Sequence, residues 1–132
     1  MLTLVGARFA CVASDVDEAP LPSERAEEHV LRLSEAKARG ALGDVVARDS
    51  REAVVILGAD TIVTIDREIL GKPSRPEEAE RMLARLSGRV HEVWTGLAIV
   101  DPAAGRALTR AIRSIVKFAP LSSEEISRYV AT

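Results

Sequence analysis

An α/β domain with a mixed sheet flanked by helices is the fold class this 132-residue sequence predicts. Three observations point there. Apolar strand-like runs alternate with helix-like stretches of 3.6-residue periodicity. Asp101-Pro102-Ala103-Ala104-Gly105, rich in turn formers, separates two long apolar runs, so at least one strand pair is a hairpin. The run Ala53–Leu57 is apolar throughout, which predicts a strand buried on both faces.

In chain order, Phe9–Val12 reads as a first short strand, followed by an acidic, Pro-containing loop from Ser14 to Pro22. Ser23 can cap a helix whose early glutamates, Glu24, Glu27 and Glu28, complement the positive end of its dipole. That helix runs to about Ala38, with Gly40 and Gly43 marking its end. Gly58–Thr61 interrupts the strand that starts at Ala53, and Ile62–Ile65 resumes it. Asp66-Arg67 is a tight turn into Glu68–Leu70, and Gly71-Lys72-Pro73 is a loop. Ser74 and Pro76 open a second helix, with Pro in the first turn where no N–H is missed. Ala79, Met82, Leu83 and Leu86 share one face of it, and Ser87-Gly88 stops it. Val93–Val100 and Ala107–Phe118 form the hairpin. Ser122 and Glu125 are spaced as a capping box for a last helix, with Leu121 and Ile126 as its staple.

Composition excludes several function classes. The net charge of -2 offers no global field for nucleic acid or an anionic membrane. The single cysteine, Cys11, rules out an internal disulfide framework, and with His29 and His91 it makes a poor zinc set. No apolar run approaches the ~20 residues of a membrane span. Met1–Phe9 lacks the pattern of a signal peptide, so the expected compartment is the cytoplasm. There is no Walker A loop, no Gly-x-Gly-x-x-Gly, no Gly-x-Ser-x-Gly and no Cys-x-x-Cys.

Four residues stand out. Lys37 continues the apolar stripe of Ala26, Val30 and Leu33; it either snorkels at the helix end or points into a cleft where an anion satisfies it. Asp60 sits between two apolar strand segments; it is either the tip of a hairpin or a carboxylate at a strand end, facing a cleft. Lys72, between Gly71 and Pro73, is a solvated surface charge or a phosphate contact. Glu18, beside Asp17, is a solvated loop acid or a metal ligand. His91 reads as structural. Two carboxylates can hold a hard divalent metal and two lysines can neutralise phosphate oxygens, a set suited to attack of water on a phosphate anhydride.

The same residues carry a resemblance. Leu57-Gly58-Ala59-Asp60-Thr61-Ile62-Val63, Glu68-Ile69-Leu70-Gly71-Lys72-Pro73, Glu78–Leu83 and Leu86-Ser87-Gly88-Arg89-Val90-His91-Glu92-Val93-Trp94-Thr95-Gly96 resemble the Maf family of nucleoside triphosphate pyrophosphatases. Asp15–Glu18, Glu35–Arg39 and Leu121–Val130 fit the same pattern, so the resemblance covers essentially the whole chain. It implies an α/β fold shared with inosine-triphosphate pyrophosphatases, with a cleft between two lobes. It implies hydrolysis of a nucleoside triphosphate to the monophosphate and pyrophosphate, with a divalent cation, Mg²⁺ or Mn²⁺. On this resemblance Asp60 activates water and holds metal, Glu18 holds metal, Lys37 and Lys72 bind phosphate, and Thr61 bears on base choice. The Ala-Asp-Thr form resembles the branch acting on dTTP and UTP. The implied partners are the nucleotide and, as an option, a second copy of the chain, with no nucleic acid and no membrane.

The sequence departs from the family pattern at both ends. A Ser-x-Ser-Pro-Arg-Arg-like loop before the segment that starts at Met1 is not present. Neither is a Lys-Ala-Gly-x-Tyr-x-x-Gln segment after Thr132. The expectation is a single domain over residues 1–132, short of the family pattern at both ends. A nucleotide-binding or regulatory protein with impaired catalysis is the competing expectation.

Overall fold

A computed structural model describes residues 3, 6–43 and 54–132 of the chain; Ala53, the expected start of the apolar run, lies outside the described residues. Among the described residues seven elements follow one another: α1 (Ala26–Gly40), β1 (Ile56–Ile65), β2 (Glu68–Leu70), α2 (Pro76–Leu86), β3 (Val90–Asp101), β4 (Arg106–Lys117) and α3 (Ser123–Val130). The strands form one sheet in the order β2-β1-β3-β4, and every pairing is antiparallel.

Two local signals behave as the sequence predicts. Asp66 and Arg67 both take positive φ, as the mirror-image turn of a two-residue hairpin requires, and β1 folds back into β2. Ser122 accepts the Glu125 N–H while the Glu125 carboxylate accepts the Ser122 N–H, so α3 starts on its capping box. The end of α2 is tied to the start of α3, because Ser87 Oγ accepts the Leu121 N–H at 2.7 Å. Ser127 Oγ donates to Glu80 Oε1 at 2.7 Å and holds the two helices together.

Other expectations are corrected. Phe9–Val12 is not a strand; Phe9 is exposed, and Val12 packs against the core of Ala38, Ala41, Ile56, Ala98 and Val100 from a segment without ladder bonds. Ser23 does not cap α1. It takes positive φ in the turn before the helix, and Arg25 stands at the N-cap. Glu28 accepts the Arg25 N–H at 3.0 Å, and so covers one orphan donor of the first turn. Gly58–Thr61 neither interrupts the strand nor forms a hairpin tip. β1 runs unbroken through it, paired with β3 from Ile56↔Val100 to Thr64↔Glu92.

Nor is β1 buried on both faces. Its burial alternates: Ile56, Gly58, Asp60 and Ile62 are covered, while Leu57, Ala59 and Thr61 are exposed. α1 lies on the covered face, and the glycines explain how closely. A Cβ on Gly58 would stand 2.1 Å from the Ser34 carbonyl oxygen, and one on Gly96 would stand 2.1 Å from that of Val30. On the other face Leu57, Ile99 and Leu108 lie side by side across three strands and remain exposed. The apolar run therefore reflects two separate demands, a helix contact on one side and an uncovered apolar row on the other.

Candidate functional site

Asp60 is the fifth residue of β1, on the face that α1 covers, directly opposite Gly96. The absence of a side chain at Gly96 lets α1 sit close, and this brings the end of the helix over Asp60. Lys37, in the last turns of α1, donates from Nζ to Asp60 Oδ1 at 2.7 Å. The same ammonium lies 2.7 Å from Glu18 Oε1. Lys72, in the loop after β2, donates to the other oxygen of Glu18 at 2.6 Å. Two acids and two lysines distant in sequence thus form one chain of contacts, Asp60–Lys37–Glu18–Lys72.

Their surroundings differ. Asp60 is 7% exposed, and its Oδ2 is buried with no hydrogen-bond partner. A buried carboxylate oxygen without a donor is costly, which marks this atom as one prepared for a ligand or a water. Lys37 is mostly covered. Burial works against its charge, but the bonds to Asp60 and Glu18 outweigh that and raise its pKa. It is therefore neither a snorkelling lysine nor a free one; its helix face turns it onto carboxylates. Glu18 is held down at about 2 by hydrogen bonds from Lys37 and then Lys72, against a smaller opposing effect of burial.

Glu18, Asp60 and Lys72 border a cleft of about 480 Å³ together with Thr61, with His29, Leu33 and Met82 as its less polar part; Lys37 stands behind Asp60 and Glu18 and is not part of this wall. The cleft lies along the outer edge of β1. β2 pairs only with Val63–Ile65, so from Ile56 to Ile62 that edge has no strand partner among the described residues. An open edge lets neighbours on opposite faces of one strand, Asp60 and Thr61, border a single space. Thr61 Oγ1 is 3.1 Å from Thr95 Oγ1, which fixes its hydroxyl without burying it. His91 is not among the residues of this wall. It is buried, stacked edge-on against Phe118 with 4.7 Å between ring centroids.

The sequence reading missed one cluster beside the cleft. The Glu24 side chain is 6% exposed and accepts four hydrogen bonds. Its donors are the Leu21 N–H at 3.0 Å, Arg32 Nε at 2.6 Å, Arg32 Nη2 at 2.8 Å and His29 Nδ1 at 2.8 Å. Arg32 is the main reason the Glu24 pKa falls to about 2. Glu24 precedes the helix and meets Arg32 eight residues on, a distance that helical periodicity does not flag. The one available signal was a pair of polar residues, His29 and Arg32, flanking the apolar stripe.

The two depressed carboxylates give a pH prediction. A folded pKa below the unfolded one adds stability that is complete above the unfolded value, near 4.5, and is lost as pH falls toward 2. The melting temperature should hold steady above about pH 5.5 and fall steeply from pH 4.5 downward. Scanning calorimetry across pH 2–7 checks it. A Glu24→Gln variant should show the shallower fall.

Among the described residues no three of His, Cys, Asp and Glu gather as a metal-binding group. No helix among them is long and apolar enough to cross a membrane.

Comparison with known proteins fits this geometry. Residues 1–132 match the family described as Maf-like protein. A dTTP/UTP pyrophosphatase of Geobacter sp. (strain M21) is 47% identical over 132 residues, covering 100% of this chain and 65% of the relative. A dTTP/UTP pyrophosphatase of Burkholderia pseudomallei (strain 1710b) is 45% identical over 139 residues, covering 100% of this chain and 66% of the relative. One from Syntrophus aciditrophicus (strain SB) is 42% identical and is covered over 62% of its length. The chain spans about two thirds of the length of these curated relatives.

Proposed function

Since the chain belongs to the Maf-like family, we propose that this protein hydrolyses dTTP and UTP to the monophosphate and pyrophosphate, with Asp60 as the proton acceptor. The observation that carries the reading is the pairing on Asp60. One carboxylate oxygen is fixed by Lys37, and the other is buried and unpartnered beside a cleft that also holds Lys72 and Thr61. Relatives named dTTP/UTP pyrophosphatase at 42–47% identity support the substrate class.

In this reading a water hydrogen-bonds to Asp60 Oδ2, gives up a proton to it and attacks the α-phosphorus. The bond from that phosphorus to the bridging oxygen breaks, and pyrophosphate leaves. Lys37 holds the carboxylate so that Oδ2 remains the acceptor. Lys72, exposed at the rim, exchanges its contact with Glu18 for phosphate oxygens. Thr61, on the opposite face of β1 from Asp60 and bordering the same cleft, bears on the base in this reading.

The charges favour a divalent cation, Mg²⁺ or Mn²⁺. Two carboxylates and two lysines already neutralise one another, so a triphosphate brings negative charge that the site does not offset. Hard cations of this kind are bound through one or two carboxylates together with substrate phosphates. Glu18 and Asp60 are the carboxylates that would hold it, through the oxygens the lysines contact, which leaves Asp60 Oδ2 for the water. The metal would supply charge neutralisation at the phosphate oxygens.

The test is to incubate the purified protein with dTTP, UTP, CTP and 7-methyl-GTP, with Mg²⁺ or Mn²⁺, and to measure pyrophosphate. Release from dTTP and UTP ahead of the others is expected, and none without metal. No release from protein that melts cooperatively would overturn the reading.

A further inference from the structure

Glu24 is a desolvated carboxylate with no part in the chemistry above. A buried ion pair is weak evidence for stability, because apolar residues of similar size often serve as well. Its geometry suggests another role. The segment before α1, residues 7–21, has no helix or strand to fix it, yet Glu18 must sit between Lys37 and Lys72. Two of the bonds in the Glu24 cluster reach the backbone of this stretch. Glu24 takes the Leu21 N–H, and Arg32 Nη2 donates to the Ala19 carbonyl at 3.1 Å. Ala19 is the residue after Glu18. The rest of the cluster is anchored in α1, through Arg32 and through His29 Nδ1–H.

We propose that Glu24 is a positioning residue: with Arg32 it clasps residues 19–21 onto α1, and so holds Glu18 between the two lysines of the pyrophosphatase site. This inference rests on the reading of Glu18 as part of that site. His29 borders the same cleft. A ring nitrogen 2.8 Å from a carboxylate that also accepts three other donors carries the proton, so the 3.4 Å approach of Arg32 to it is a contact between two donors. The clasp is therefore built on the carboxylate alone. Glu24→Gln leaves one acceptor oxygen for four donors and turns an amide NH2 toward Arg32 in either orientation, so both backbone anchors weaken together, because Arg32 loses the two-oxygen partner that orients it toward Ala19.

The test compares Glu24→Gln, Glu18→Gln and the double variant in the full protein. Turnover of dTTP is measured well below each melting temperature. Outer partners that orient a reacting group typically cost about 10- to 100-fold when removed. That loss in kcat is expected for Glu24→Gln, with little further loss on top of Glu18→Gln, since both act through one carboxylate.

A second readout does not depend on activity. The chain has only three lysines, so trace acetylation resolves Lys72 from Lys37 and Lys117. Lys72 labelling, measured against Lys117, should rise in Glu24→Gln as it does in Glu18→Gln. A folded Glu24→Gln with unchanged kcat and unchanged Lys72 labelling overturns the clasp, and so does a loss that multiplies fully with that of Glu18→Gln. If Glu24→Gln does not fold, Arg32→Lys is read by the same two measures. If the unaltered protein releases no pyrophosphate, the proposed function falls. The labelling then decides the clasp alone: a rise upholds it, no change overturns it.

Discussion

Alanine at Gly96 is expected to lower the melting temperature by more than about 10 °C or to prevent folding. The added Cβ would stand 2.1 Å from the Val30 carbonyl oxygen and 2.5 Å from its carbon. Neither atom belongs to a side chain that can swing aside; both are backbone of α1. Relief requires the whole helix to lift from β1 and β3. Overpacking in a core costs roughly 1–3 kcal/mol when side chains can adjust, so a backbone obstacle belongs at or beyond the top of that range. Gly58→Ala, 2.1 Å from the Ser34 carbonyl oxygen and 2.7 Å from the Ala38 nitrogen, should behave alike. Gly105→Ala is the control. It also loses a glycine, at φ +62, but meets nothing within 4 Å, so only a backbone strain of about 1–2 kcal/mol is expected. Thermal melts of the three variants decide it. Equal shifts at Gly96 and Gly105 would show that close helix contact is not what Gly96 provides. A lifted α1 would also draw Lys37 away from Asp60, so this fold contact and the site stand or fall together.

These glycines show why part of the structure was legible in sequence and part was not. The β1–β2 turn, the β3–β4 hairpin, α2 and the capping of α3 are set by residues a few positions apart, and such local chemistry is written in order along the chain. Gly58 carries the opposite lesson. In sequence a glycine next to Ala-Asp-Thr reads as a turn, whereas its use is long-range, to admit α1. Misreading Gly58 also left Asp60 open as a hairpin tip, when it is a mid-strand residue on the buried face. Phe9–Val12 fails for a related reason: apolarity announces burial, but only a neighbouring strand makes a ladder. Lys37 was visible because it breaks an apolar stripe. Glu24 broke no pattern, since a glutamate before a helix already has a dipole to complement. Its contacts with Arg32 and His29 arise from the turn through Ser23, which no periodicity encodes.

Asp60→Asn is the variant with the largest expected effect on chemistry. Removing a positioned general base typically costs about 10²- to 10⁴-fold, and a loss in that range in kcat is expected with little change in melting temperature. The two halves of this expectation come from the two oxygens. Oδ1 accepts from Lys37, and an asparagine carbonyl oxygen in the same place still accepts that bond. Oδ2 has no partner, and there an amide offers donors where a water proton needs an acceptor. Lys37 does not lose its charge partner either, since Glu18 remains 2.7 Å from its Nζ. The contrast is Lys37→Met. It leaves Asp60, buried and now without any donor, beside Glu18, so two acids lose the cation between them. Breaking a buried pair from one side costs roughly 3–5 kcal/mol, and this variant should be clearly less stable than Asp60→Asn. Both should be nearly inactive, the first from loss of the acceptor and the second from loss of its orientation. Melts paired with pyrophosphate assays separate them. Full turnover in a folded Asp60→Asn protein would remove Asp60 from the reaction and leave Glu18, the other carboxylate at the cleft, as the acceptor to examine.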